Sequence, residues 1–126
     1  MKTFLLAGLT VGALAIVSTS ASAADAAHGQ ELFRAQCGVC HAGGEGDGDG
    51  GQGPSLKGLI GRKIGGDTAF GGYTDVLSSA KDKWTPANLN TFLIDPNKDR
   101  PGTNMPISVK NDAERADIIA YLASLK

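Results

Sequence analysis

Hydrophobic positions divide the chain into two unlike parts. From Phe4 to Val17 nearly every side chain is apolar or small, in one run with no amphipathic period. Beyond it, apolar residues come in short groups at helical spacing: Leu32 and Phe33 leading to Gln36-Cys37; Leu89, Phe92 and Leu93; and Ile118, Ile119, Tyr121, Leu122 and Leu125. Asn111 and Glu114 form a capping-box pattern ahead of the last group. Thr85-Pro86 predicts an N-cap with a first-turn proline, and Pro96 a stop. Thr74 is the expected cap of a further short helix through Ala80. No stretch alternates with period two, so the pattern predicts an all-α fold with little or no sheet.

The first run is bounded by Lys2 on one side and Ala21-Ser22-Ala23 on the other, the layout of a secretory leader. It is shorter than the ~20 apolar residues that span a bilayer. Residues 1–23 are therefore expected to be a cleaved signal peptide and 24–126 one exported domain, soluble in the periplasm. Twelve basic against thirteen acidic residues give a formal net charge of −1, and loss of Lys2 makes the domain one unit more acidic. Neither value supplies the basic field of a nucleic-acid binder.

With 18 glycines and 6% aromatic residues, the chain is short of core-forming side chains. The segments 42–54, 58–72 and 95–106 are rich in glycine and proline, and long irregular loops in a small domain imply something for them to wrap. Short helices and long loops of this length need a cofactor, metal or disulfide to complete a core.

Cys37-Gly-Val-Cys40-His41 names the group. Cys-x-x-Cys-His is the haem c attachment pattern: two thiols on one helical turn add to two vinyl groups of one porphyrin, and the next residue offers its imidazole to iron. A thioredoxin-like centre needs a βαβ pattern that the sequence lacks, and zinc needs about four ligands where only His28 remains to join these. With Met1 lost in the leader, Met105 is the one methionine left, held in the stiff loop Pro101-Gly-Thr-Asn-Met-Pro106. His28 lies close before the attachment segment and is expected on the surface. His/Met ligation suits electron transfer.

In the order and spacing of these motifs, from Gly29 to Leu125, the chain resembles class I cytochromes c of the mitochondrial-like type found in bacteria. The resemblance implies a small cytochrome c fold of short helices and long loops wrapped around one haem, attached by two thioethers at Cys37 and Cys40. His41 and Met105 would be the iron ligands. Gly53-Pro54 matches the loop whose proline carbonyl accepts a hydrogen bond from the proximal imidazole. Arg62, Tyr73 and Trp84 match residues close to the propionates, and Thr103 the threonine beside the axial methionine. Gly29, Phe33, Tyr121 and Leu122 match positions where the terminal helices cross. The implied function is one-electron transfer between periplasmic or membrane redox complexes by a monomer that contacts them transiently and is not an enzyme.

Three departures stand out. Phe92 occupies a place where the family commonly has a tyrosine, and Leu77 replaces an asparagine of the same polar network, which predicts a drier methionine side. Asn104 stands where lysine is frequent; Lys57, Arg62, Lys63, Lys81, Lys83, Lys98 and Arg100 are left to form a modest basic rim. The acidic run from Gly43 to Gly51 fails the EF-hand pattern, having Gln52 and Gly58 where glycine and glutamate are required. It is expected to be a mobile surface loop. A haem enzyme or gas sensor with a labile Met105, and a haem-free thiol–disulfide protein, remain alternatives at this point.

Overall fold

The computed structural model describes residues 22–126, so all but the last two residues of the expected leader lie outside the described part. Helix α1 (Ala26–Gln36) starts where the Asp25 carboxylate accepts hydrogen bonds from the amides of Ala27 and His28. It buries Gly29 and Phe33. Helix α5 (Asp112–Ser124) starts at Asn111, whose side chain accepts from the Glu114 amide at 3.1 Å. Its buried face is Arg115, Ile118, Ile119, Tyr121 and Leu122.

These terminal helices cross at Gly29, where the main chains meet. A Cβ on Gly29 would lie 1.9 Å from the Asp117 carbonyl oxygen, so only hydrogen fits. Phe33, with no exposed surface, packs on Tyr121 with ring centroids 5.3 Å apart. Burying a side chain of this size contributes roughly 1.5–3 kcal/mol. At the exposed edge of the crossing, Asp117 accepts from the Asp25 amide at 2.7 Å and pairs with His28 Nδ1 at 2.8 Å. The hydrogen bond raises the His28 pKa and lowers that of Asp117. His28 is thus on the surface, as expected, and ties α1 to α5.

Between them run three shorter helices: α2 (Asp75–Ser78), α3 (Pro86–Ile94) and α4 (Pro96–Asp99). Thr85 and Asn88 cap α3 reciprocally, and Leu89, Phe92 and Leu93 form its buried face. Pro96 ends α3, as its missing N–H requires, but the chain continues at once into α4. The side chain of Asp95 accepts from the Lys98 amide at 3.1 Å and caps that turn. Among the described residues there is no strand, only an isolated bridge between Lys63 and Lys83. Around it Trp84 N donates to Arg62 O at 2.9 Å, and Gly61 N to Trp84 O at 2.8 Å, which fixes Trp84 beside the 58–66 loop.

The loop from Gly43 to Gly51 differs from its expectation. Asp47, at its centre, has no exposed surface. Its carboxylate accepts from the Tyr121 hydroxyl, from Gln30 Nε2 at 2.8 Å and from Arg34 Nε, so the loop is anchored to both α1 and α5. Composition marked the run as surface because glycine and acid dominate it; one carboxylate with three donors reverses that.

Candidate functional site

A cavity of about 270 Å³ opens between the end of α1, the 52–62 loop, α3 and the segment 103–107. Native interiors hold few voids larger than a water molecule, so a space this size is built for a ligand. Its inner wall is apolar: Leu59, Leu77, Trp84, Leu89, Phe92, Leu93 and Leu122 all line it and are buried. Trp84 meets Phe92 edge-on at 5.1 Å. Leu77 and Phe92, the two departures, are both part of this apolar wall.

Cys37, Cys40 and His41 enter one side of the cavity. Cys37 caps α1, its amide donating to Phe33 O at 2.8 Å, and His41 N donates to Cys37 O at 2.9 Å. Both cysteines are free thiols. Burial, with Cys40 close by, pushes the Cys37 thiol up to about 11.

His41 is oriented by two neighbours. Its Nδ1 lies 2.7 Å from the Pro54 carbonyl, which can only accept, so Nδ1 carries the proton and Nε2 keeps its lone pair. The ring lies flat on Gly53, whose missing side chain makes the room: a Cβ there would be 2.3 Å from Cε1 and 2.6 Å from Nδ1. Burial lowers the His41 pKa, opposed by the Pro54 hydrogen bond, and the Arg62 charge lowers it further. The imidazole is therefore a neutral, pre-oriented nitrogen donor.

Met105 lines the cavity from the 103–107 segment and is half-buried. Thr103 is buried beside it and its hydroxyl accepts from the Met105 amide at 3.5 Å. Farther along, Val109 N donates to Leu93 O at 2.7 Å, and the buried Arg115 donates to Val109 O at 2.9 Å and to Asn90 Oδ1 at 2.7 Å. Arg115 thereby pins the far end of the methionine segment to α3, a role its helical position alone did not reveal.

The polar end of the cavity holds Arg62 and Tyr73. Arg62 donates from Nη2 to Ser55 O at 2.7 Å and from Nη1 to Lys57 O at 3.3 Å, while its Nε is buried with no partner. The Tyr73 hydroxyl accepts from the Asp67 amide at 3.3 Å, leaving its proton free to be donated, and its ring meets Phe70 edge-on at 5.0 Å. Thr74, expected only as a helix cap, makes no capping hydrogen bond, and its hydroxyl is buried without a partner. A buried donor without an acceptor costs about 1–3 kcal/mol. The Arg62 Nε and the Tyr73 hydroxyl, both in the wall of the apolar slot, fit a flat apolar macrocycle carrying carboxylates on one edge.

A cysteine-histidine corner and a thioether in the wall of one cavity, an apolar slot and donors for carboxylates are haem-binding chemistry. The family model for cytochrome c matches residues 26–126. The chain belongs to the cytochrome c family. It is 39% identical over 103 residues to a cytochrome c of Chlamydomonas reinhardtii, covering 81% of this chain and 90% of the relative. It is 37% identical over 116 residues to cytochrome c2 of Rhodomicrobium vannielii, covering 90% of each. Among solved structures it is similar to cytochrome cH from Methylobacterium extorquens, with TM-score 0.69 and 36% identity over 79% of this chain and 98% of that one. As a cytochrome c it is an electron carrier, not an enzyme, and binds one covalently attached haem c with its iron.

Proposed function

We propose that this cytochrome c is an exported, soluble, monomeric carrier in which His41 and Met105 would ligate the haem iron, and that it passes single electrons between periplasmic or membrane redox complexes. The observation that carries the reading is that the neutral, pre-oriented imidazole and the mature chain's one methionine line the same cavity. The leader is residues 1–23 and the haem domain residues 24–126.

When bound, haem c supplies a one-electron ferrous/ferric couple. Cys37 and Cys40 would hold it by thioethers. Pro54 keeps His41 in the tautomer that presents Nε2, which increases its donor strength. Thr103 orients the Met105 segment. Arg62 Nε, the Tyr73 hydroxyl and the Trp84 indole would be the donors for the propionates. The leucine and phenylalanine wall excludes water, which keeps the site rigid as charge changes.

Replacing Met105 tests the ligand set. Met105→Ala is expected to keep the covalent haem, lower the potential and let carbon monoxide bind the reduced form, with loss of the methionine–iron charge-transfer band. An unchanged spectrum and potential would assign the sixth ligand elsewhere. Rapid carbon monoxide binding by the unaltered protein would instead favour a haem enzyme or sensor. The mass of the secreted protein tests the leader, since cleavage after Ala23 leaves Ala24 as the first residue.

A further inference from the structure

Between Asp47 and Pro54 the chain is glycine at every position except Asp49 and Gln52. Such a run has no apolar side chain to bury and little conformational preference of its own. It nevertheless lies against the attachment turn in one register. Gly48 rests on that turn in the left-handed region, at φ +91°, and a Cβ there would be 2.5 Å from the carbonyl oxygens of both Gly38 and His41. Gly53 N donates to Cys40 O at 2.9 Å, and Leu56 N to Ala42 O at 2.8 Å. The same register puts the Pro54 carbonyl on His41 Nδ1. The start of the run is fixed to the helices through Asp47. Unlike Glu45 and Asp49, which are exposed, its carboxylate is buried among donors from Gln30 and Arg34 of α1 and Tyr121 of α5. The Tyr121 hydroxyl also accepts from the Gly44 amide at 3.0 Å, and Gly43 N donates to Asp47 O at 3.0 Å.

We propose that Asp47 is a positioning residue for His41: by fixing the start of the 48–56 run to α1 and α5, it holds the register in which Pro54 meets the imidazole. This rests on the reading of His41 as an iron ligand. A carboxylate removed from water is costly unless its donors are in place. Any slip of the run that draws Asp47 away from Gln30, Arg34 and Tyr121 is therefore opposed, and glycines that could take many registers keep one. The crossing of the terminal helices, which supplies those donors, thereby acts on the proximal imidazole although neither Gln30 nor Tyr121 touches it.

Gln30→Leu with Tyr121→Phe removes two of the three donors, and the acceptor of the Gly44 amide, without changing a formal charge. Amide hydrogen exchange and the midpoint potential are measured on the haem-loaded mature protein. The amides of Gly53 and Leu56 are expected to exchange at least about tenfold faster than in the unaltered protein. Those of Trp84 and Val109, bonded to Arg62 O and Leu93 O elsewhere in the fold, should change less than about threefold. The potential is expected to rise, the direction set by an imidazole that loses its Pro54 acceptor. Equal acceleration of all four amides would reduce Asp47 to a general stabilising contact and overturn the proposal. Unchanged exchange at Gly53 and Leu56, or an unchanged potential, would overturn it as well. Where the double variant does not keep its fold, Asp47→Asn, a smaller change, is judged by the same ordering of the four amides. Proton NMR of the reduced, unaltered protein tests the ligand reading separately: a His41 imidazole without the large ring-current shifts of a haem-bound ring would refute that reading, not the hold of Asp47 on the loop.

Discussion

Gly53→Ala isolates what the seat beneath His41 contributes. The backbone there is not left-handed, so alanine meets no conformational penalty and the effect is purely steric. The new Cβ would lie 2.3, 2.6 and 2.9 Å from Cε1, Nδ1 and Nε2 of His41. Carbon contacts are comfortable only at about 3.5 Å and beyond, so the ring must withdraw by about 1 Å. That stretches the 2.7 Å Nδ1···Pro54 contact beyond hydrogen-bonding range. A hydrogen bond supporting a metal ligand is worth about 1–2 kcal/mol. At 59 mV per tenfold for one electron, that corresponds to roughly 40–90 mV. The sign follows from donor strength: a less basic imidazole stabilises ferric iron less, so the potential rises. Spectroelectrochemical titration of the purified holoprotein measures it. Pro54→Ala, which keeps the carbonyl, serves as control and should move the potential by less than about a third as much. A Gly53→Ala potential within about 10 mV of the original, with an unchanged spectrum, would refute the steric argument.

Gly29→Ala forces a methyl against the Asp117 carbonyl and should cost about 3 kcal/mol by urea unfolding; a loss below about 1 kcal/mol would mean that the helices separate easily. Asp47→Asn should cost about 2 kcal/mol at neutral pH, since it withdraws charge from a buried acceptor of three hydrogen bonds. The Tyr121 hydroxyl above all, then Gln30 and Arg34, hold the Asp47 carboxyl below its ordinary range. Its stabilisation is therefore complete above the unfolded value near 3.9 and is lost as pH falls through the lowered folded value. The gap between parent and variant should narrow in urea titrations at about pH 3 compared with pH 7, and a constant gap would contradict this. Arg115→Met should destabilise by about 3 kcal/mol, because Asn90 and the Val109 carbonyl lose their donor. It should also make Met105 easier to displace with added imidazole; an unchanged displacement midpoint would remove Arg115 from the positioning of that segment.

Two of the three principal helices were legible because each carries its own start signal and apolar stripe, Asn111 before α5 and Thr85-Pro86 before α3; α1 was legible from the spacing of Leu32 and Phe33 alone, and its cap, Asp25, went unread. The haem corner was legible because its chemistry is local, five residues in one turn. What escaped notice depends on distant partners. Thr74 fits a helix-capping pattern as well as a buried hydroxyl, and only the surrounding packing distinguishes them. Asp47 sits in a run whose composition signals exposure, while its three donors lie far away on α1 and α5. Pro96 illustrates the limit of local rules: it ended α3 as expected, and with Asp95 as cap it also opened α4.

The Asp47 anchor has a consequence in polymer terms. Without it, the chain from His41 to Pro54 would be one glycine-rich tether between the imidazole and the residue that orients it. Pinned near its midpoint, it becomes two tethers of about half the length, and each halving of a closed loop relieves roughly 0.6 kcal/mol of closure entropy. The same logarithm makes length cheap where nothing packs. At Gly51, which has open space around its Cβ position, doubling the second tether would add only about 0.6 kcal/mol. A short peptide label inserted there would sit next to the haem corner while the anchor absorbs its motion before it reaches α1.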